Sequence, residues 1–564
     1  MPSKTSIKPL KTTGLSNTFN KIFKLRNQFA LATFVLGSTF GSLNSADAAS
    51  LTLTVADSWG DGDSGVLTAG IANDNVDVDG FAMTINKAST VGAIIDNNTV
   101  ANAGDVLITS AAANADFAVT IASQTHEGFT DIKTLDADNS TMTVSWTGNF
   151  DTNQTLNIES TESSATDSLT VNFGGNVVTA AAVTMVADGG ASSASHVNVN
   201  VAGNFNNNAD STMDDKAGGL VTLTLNGTGA QAVLKELDGI ASGEGTIVNA
   251  NTGNTVTFAE EIGRVKEILA LTHNASSTTI HSAAVDAVTV TSAGTETYLA
   301  GGFKATTINK TAGTMNITAL NGGDSITNLA GSGLVDLNMS AGTTFNLSIA
   351  SGQTTNLEAT IDGTDDGEGT LNIFNTDTAA GGVVTVSGII GGSKDLAAIK
   401  IGKTTAAGSV DFTAAVSTIG ALTIVGGDAG SEDSLVDAGA SITAGSIVLN
   451  VASTGEARLK GTADVTITGA VDKSGAGAGE AFLEISANET TFVNSVGGNT
   501  ALDDIAIATA GTIKAQSDVK ATLTTLTGAA EITFTGSGAQ TYDSVITLAA
   551  DDDGIIKNSN TGGE

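Results

Sequence analysis

The 564-residue chain has no cysteine, which excludes a disulfide framework and any thiolate metal site. Its two prolines, Pro2 and Pro9, sit at the extreme N-terminus beside a total of 67 glycines. It is therefore neither a proline-rich linker nor a collagen. Aromatic residues make up 4% of the chain. Beyond residue 48 the tryptophans are Trp59 and Trp146 alone, the tyrosines Tyr298 and Tyr542, and the arginines Arg264 and Arg458. Sugar-cleaving clefts use aromatic platforms and cations, so this poverty argues against a β-helical polysaccharide lyase or hydrolase. No G-x-S-x-G elbow, P-loop or H-E-x-x-H occurs. The histidines His126, His196, His273 and His281 lack a zinc-type spacing and read as surface or loop residues. No enzyme is expected.

Basic residues are scarce too, except at the start. The formal net charge is −36, yet the first 26 residues carry Lys4, Lys8, Lys11, Lys21, Lys24 and Arg26. Without residues 1–48 there remain 17 basic and 58 acidic residues, a net −41. Such a surface repels phosphate backbones, so nucleic acid is excluded as a partner, whereas divalent cations are attracted. Nor is there a long apolar run. The longest, Phe29-Ala-Leu-Ala-Thr-Phe-Val-Leu36, is shorter than the roughly 20 residues that span a bilayer as a helix. It follows the basic stretch and precedes Ala46-Asp47-Ala48, the pattern of a secretory signal with cleavage after Ala48 or Ala49. The expectation is a signal peptide over 1–48 and an exported mature protein.

What is present is β-patterning. From residue 50 onward, short runs such as Leu51-Thr-Leu-Thr-Val55, Leu169-Thr-Val-Asn-Phe173 and Val221-Thr-Leu-Thr-Leu225 alternate apolar with small polar residues. Gly, Asn or Asp breaks them at short intervals, as expected of half-buried strands joined by tight turns. Repeats are legible as well. Gly227-Thr-Gly-Ala-Gln231 recurs as Gly536-Ser-Gly-Ala-Gln540, and Asn249-Ala-Asn-Thr-Gly253 as Asn558-Ser-Asn-Thr-Gly562, both at an offset of 309. Gly243-Glu-Gly-Thr-Ile247 is similar to Gly367-Glu-Gly-Thr-Leu371. Ile262-Gly263, Ile390-Gly-Gly392 and Val496-Gly-Gly498 each stand between a strand ending in Val-Thr-Phe or a variant of it and a second apolar strand. Residues 259–271 contain helix formers, but the later copies of this unit read as strand, glycine turn, strand, and that reading is adopted. The last repeat reaches Glu564 where a further strand should begin, so the natural product is expected to continue.

The expected fold is all-β, an elongated repeat β-solenoid (parallel β-helix), with tandem β-sandwich domains as the alternative. Three regions are expected: the signal over 1–48, an N-terminal β-rich region over 49–220, and a repeat solenoid over 221–564. The G-x-G-A-Q, N-x-N-T-G and V-T-F…I-G-G…L-x-x-I units over 220–564 resemble those of passenger regions of rickettsial outer-membrane protein B-type autotransporters. The composition is similar to that of Gram-negative S-layer proteins. The resemblance implies a secreted, extracellular cell-surface protein of a Gram-negative bacterium that coats the cell by self-association into a lattice or adheres to hosts, with cell-envelope glycan or the outer membrane as further partners. The autotransporters' C-terminal membrane β-barrel is missing from the sequence, which puts anchoring through this chain in doubt.

Calcium prefers several oxygens on a glycine-bent loop. The acids that fit this description are Asp57, Asp61 and Asp63, then Asp74, Asp77 and Asp79, then Asp362, Asp365 and Asp366 with Glu368, and finally Asp551, Asp552 and Asp553. None has EF-hand or nonapeptide spacing, and solvated turn acids are the plainer reading of each.

Overall fold

Among the described residues, alternation of buried and half-buried positions governs most of the strands. The computed structural model describes residues 105–561 with short interruptions, and five short segments between residues 50 and 95. Among the described residues the chain is all-β without a helix, its parallel strands stacked as a β-solenoid of about 16 turns. At roughly 4.8 Å per rung, the axis is about 75 Å long.

One turn illustrates the design. Ser168–Phe173, Val177–Thr179 and Val183–Asp188 form three successive walls. Leu169, Val171 and Phe173 point inward, whereas Thr170 and Asn172 stay half-exposed, the period-2 pattern visible in the sequence. Each strand hydrogen-bonds to its counterpart one turn away: Leu169 lies opposite Met142 on one side and Val197 on the other. Like thus stacks on like. Among the described residues the buried apolar side chains form one cluster reaching from Met83 to Phe534, with polar side chains set into it at several turns. Each fully buried Val, Leu or Ile contributes about 1.5–3 kcal/mol. Among the described residues, turn length varies from the 17 residues separating Thr278 from Thr295 to the 31 separating Ile326 from Leu357. The ladder crosses residue 220 without interruption, because His196 aligns with Leu220.

The repeated motifs are the corners. After Leu237 the third wall thins to single bridges, Leu237 to Ile262 and Ile262 to Val285; Ile361, Ile390 and Val416 repeat this, as do Val471, Val496 and Val519. The glycine that follows each bridge residue is left-handed, with φ of 72° at Gly263, 67° at Gly391 and 66° at Gly497. A Cβ at Gly391 would lie 2.2 Å from the Ser417 carbonyl oxygen, so only glycine lets the next turn close on this corner.

The two motifs that share the 309 offset touch one another. Gln231 Oε1 accepts from Gly227 N (2.9 Å) while its Nε2 donates to Val201 O (2.9 Å) and Gly203 O (2.7 Å). One turn later Asn251 donates to Gly229 O and Gln231 Oε1, both at 2.7 Å. In the second copy Gln540 caps Gly536 N at 3.1 Å, and Asn560 donates to Gly538 O and to Gln540 Oε1. Two motifs separated in sequence are one interlocking device in space.

Candidate functional site

The described acids among those singled out in the sequence fall on several separate turns. Asp57 opens the short strand Asp57–Trp59 opposite Met83, and Asp77 ends Asn75–Asp77 opposite Thr52 and Ile95. Asp61, Asp63, Asp74, Asp79, Asp551 and Asp552 lie outside the described residues. Asp553 closes its own turn, accepting from Ala550 N at 2.8 Å.

Asp362, Asp365 and Asp366 are corner residues. The half-buried Asp362 accepts from Ser393 N at 3.1 Å, holding the turn that follows Gly391 and Gly392. Asp238 does the same for Val265 N (3.1 Å) and Asp472 for Asn499 N (2.8 Å), so this aspartate belongs to the repeated corner. Asp365 and Asp366 are exposed at 80% and 56%, each within 3.6 Å of Lys394 Nζ. Glu368 turns back to cap Asp365 N at 2.9 Å, as Glu244 caps Ala241 N at 2.6 Å. Among the described residues, no three histidine, aspartate or glutamate side chains are gathered around a point that could hold a metal ion.

An acidic group that sequence reasoning passed over lies on the third wall. Glu236 is 7% exposed, and its Oε1 has no hydrogen-bond partner among the described residues. Burial, then the neighbouring Asp238, pushes its carboxyl up to about 7. Arg264 approaches the other oxygen at 3.7 Å. Elsewhere, outward residues Asp131, Lys133, Asn157, Glu159, Thr184 and Val186 line a shallow groove of about 180 Å³ across three strands. Asn157 donates to Asp131 Oδ1 there at 2.6 Å.

The most unusual chemistry is inside the solenoid. His273 and His281, expected at the surface or in loops, are each 1% exposed, and His126 is buried as well; only His196 faces partly outward. The parity of their strands explains the correction. In Thr278–His281 the inward residues are Thr279 and His281, and Ile280 points outward. The His281 ring stacks between those of Phe258 (4.8 Å, 5°) and Tyr298 (4.6 Å, 4°), its partners in register on the adjacent turns. Its Nε2 lies 3.3 Å from His273 Nε2, and His273 Nδ1 lies 3.3 Å from Thr279 Oγ1, which accepts from Asn249 at 2.7 Å.

Two turns beyond His273, in register through Ser292, stands Lys310. Its ammonium donates to Ser292 Oγ (2.5 Å), Gly294 O (2.6 Å) and Glu296 Oε2 (2.8 Å), in an ion pair with both side chains fully buried. Burial pulls Lys310 down and pushes Glu296 up, while their mutual attraction opposes both shifts. Burial also holds Tyr298 well above its ordinary value. Glu296 Oε1, His281 Nδ1 and Tyr298 OH have no hydrogen-bond partner among the described residues. The alternation Phe303-in, Ala305-in is broken by the outward pair Thr306 and Thr307, after which Ile308 and Lys310 point inward. That corner hides the lysine from a simple period-2 reading.

No protein-family model matches the chain, and no curated protein or solved structure is found to be similar to it.

Proposed function

We propose that this chain is a structural cell-surface protein of a Gram-negative bacterium, exported after removal of residues 1–48. It assembles by self-association into an S-layer-like coat, without catalysis. The observation that carries this reading is the continuous stack of about 16 parallel turns whose outward residues are mainly small and polar. A stiff body of this kind presents long flat walls to its neighbours. Support also comes from the charge: subunits of −41 repel one another unless counterions intervene, and salt alone screens such charges over about 8–10 Å. Divalent cations, calcium first, bridge the acidic faces between subunits, which requires no complete cage within one chain. Envelope glycan or the outer membrane is the surface on which the coat rests.

Washing cells with a calcium chelator tests this. The chain is expected in the supernatant, with loss of lattice order in electron micrographs and recovery when calcium is restored. A coat indifferent to chelation sinks the bridging, and an absence of lattice order in untreated cells sinks the coat. The second reading, the passenger of an autotransporter adhesin, is favoured by the interlocked G-x-G-A-Q and N-x-N-T-G corners; binding of the purified solenoid to host cells, without lattice order, would place it first.

A further inference from the structure

We propose that the turns between Ile268 and Lys310 form an acid-sensitive seam, where the solenoid opens locally in a mildly acidic medium while the turns between Ser168 and Val201 stay closed. The geometry carries this. His273 and His281 face each other at 3.3 Å between Nε2 atoms, an arrangement in which one Nε2 donates and the other must accept, so the two rings cannot both be doubly protonated while the contact lasts. An added proton would place a cation in a fully buried column that already holds the Lys310 ammonium.

The strands packed against the pair bring few titratable groups to it. From Glu244–Asn249 and Thr255–Phe258 the inward residues are Gly245, Ile247, Asn249, Val256 and Phe258; from Val285–Ser292 they are Val285, Ala287, Val290 and Ser292. Thr295–Tyr298 contributes Glu296 and Tyr298, and Phe303–Lys310 contributes Lys310. The one carboxylate in this interior therefore already serves the lysine.

The linkage has a definite sign. Burial, then the Lys310 charge, lowers His273 to about 3, and burial, then His273, holds His281 well below its ordinary value. An opened segment regains histidines that protonate near pH 6.5. The closed form is thus favoured above that pH and loses ground as pH falls toward 3. At pH 5 opening is promoted roughly 30-fold per histidine. Glu296, held above its ordinary value chiefly by burial, acts in the opposite direction, so histidine variants are needed to assign the effect. The inference is independent of the coat reading.

Hydrogen exchange of the full chain at pH 7.5 and pH 5, corrected for intrinsic rates and resolved by peptide, tests it. Amides of Ile268–His273, Thr278–His281 and Phe303–Lys310 are expected to lose at least about 30-fold in protection, while those of Ser168–Phe173 and His196–Val201 change little. The double variant His273→Gln/His281→Phe, which keeps an aromatic ring between Phe258 and Tyr298, should abolish the pH dependence. Uniform loss of protection, unchanged protection in the seam, or an acid response persisting in the double variant overturns the proposal. Should that variant not fold, the distribution of exchange in the unaltered chain decides.

Discussion

The turns around Phe173 and those around His281 share one backbone ladder and differ in what fills it. In the first, Trp146, Phe150 and Phe173 pack with ring centroids 5.0–5.3 Å apart in a largely apolar interior whose buried polar groups, among them Gln124, which accepts from Trp146 Nε1 at 3.2 Å, include no ion pair among the described residues. In the second, two histidines, a tyrosine and a complete ion pair occupy the equivalent column. Parallel stacking tolerates both because backbone hydrogen bonds, not side-chain identity, hold the rungs at their spacing. What the filling changes is the dependence on conditions. An apolar column gains stability from burial alone, whereas a polar column is stable only while every proton stays where the geometry put it.

The comparison is broken most strongly at Lys310. Lys310→Met strands the Glu296 carboxylate in the interior and should destabilise the local turns by about 3–5 kcal/mol, whereas Lys310→Met/Glu296→Leu should be neutral or stabilising by about 1–4 kcal/mol. Hydrogen exchange of Phe303–Lys310 is the appropriate readout, because a long repeat array does not unfold as one unit. A double variant as damaged as the single one would mean that the polar filling is required for packing.

A smaller effect should be blind to the filling. Gly263→Ala, beside the polar turns, and Gly391→Ala, beyond them, meet carbonyl oxygens at 2.1 and 2.2 Å with φ of 72° and 67°. Each should cost about 2 kcal/mol or more, measured as loss of protection in the flanking strands. Unequal costs would show that the interior, rather than the corner, sets rigidity.

The smallest expected change lies on the outer walls. Asn204 N donates to Asn176 Oδ1 at 2.8 Å, and Asn346 donates to Asn316 Oδ1 at 2.8 Å. Asn176→Ala and Asn346→Ala should each cost about 1 kcal/mol in local exchange protection. Asp365→Ala, at an 80% exposed corner, should stay within about 0.5 kcal/mol. A larger loss at Asp365 on calcium removal would give that acid a role its contacts with Lys394 and Glu368 do not.

Much of the fold was legible because a solenoid repeats its instructions. Leu169-Thr-Val-Asn-Phe173 states which side faces inward, and Ile262-Gly263, Ile390-Gly391 and Val496-Gly497 mark one corner three times. The site was less legible. Asp362 stands out for its glycine-bent neighbourhood, but the sequence does not show that its Oδ1 accepts from Ser393 N in the next turn. The histidines read as surface residues because Ile280, between Thr279 and His281, is the residue that hydrophobicity would place inside.

The sequence by itself determined the alternation, the corners and the repeat, since these depend on neighbours a few residues apart: period-2 side-chain direction, left-handed glycines, and Asn or Gln caps. Only the tertiary structure decided which polar residues meet inside. His273, Ser292 and Lys310 stack because the intervening turns are 19 and 18 residues long, and elsewhere a turn takes 30. With turn length free to vary, the register between rungs is chosen by burial and backbone hydrogen bonding across turns, which no local pattern encodes.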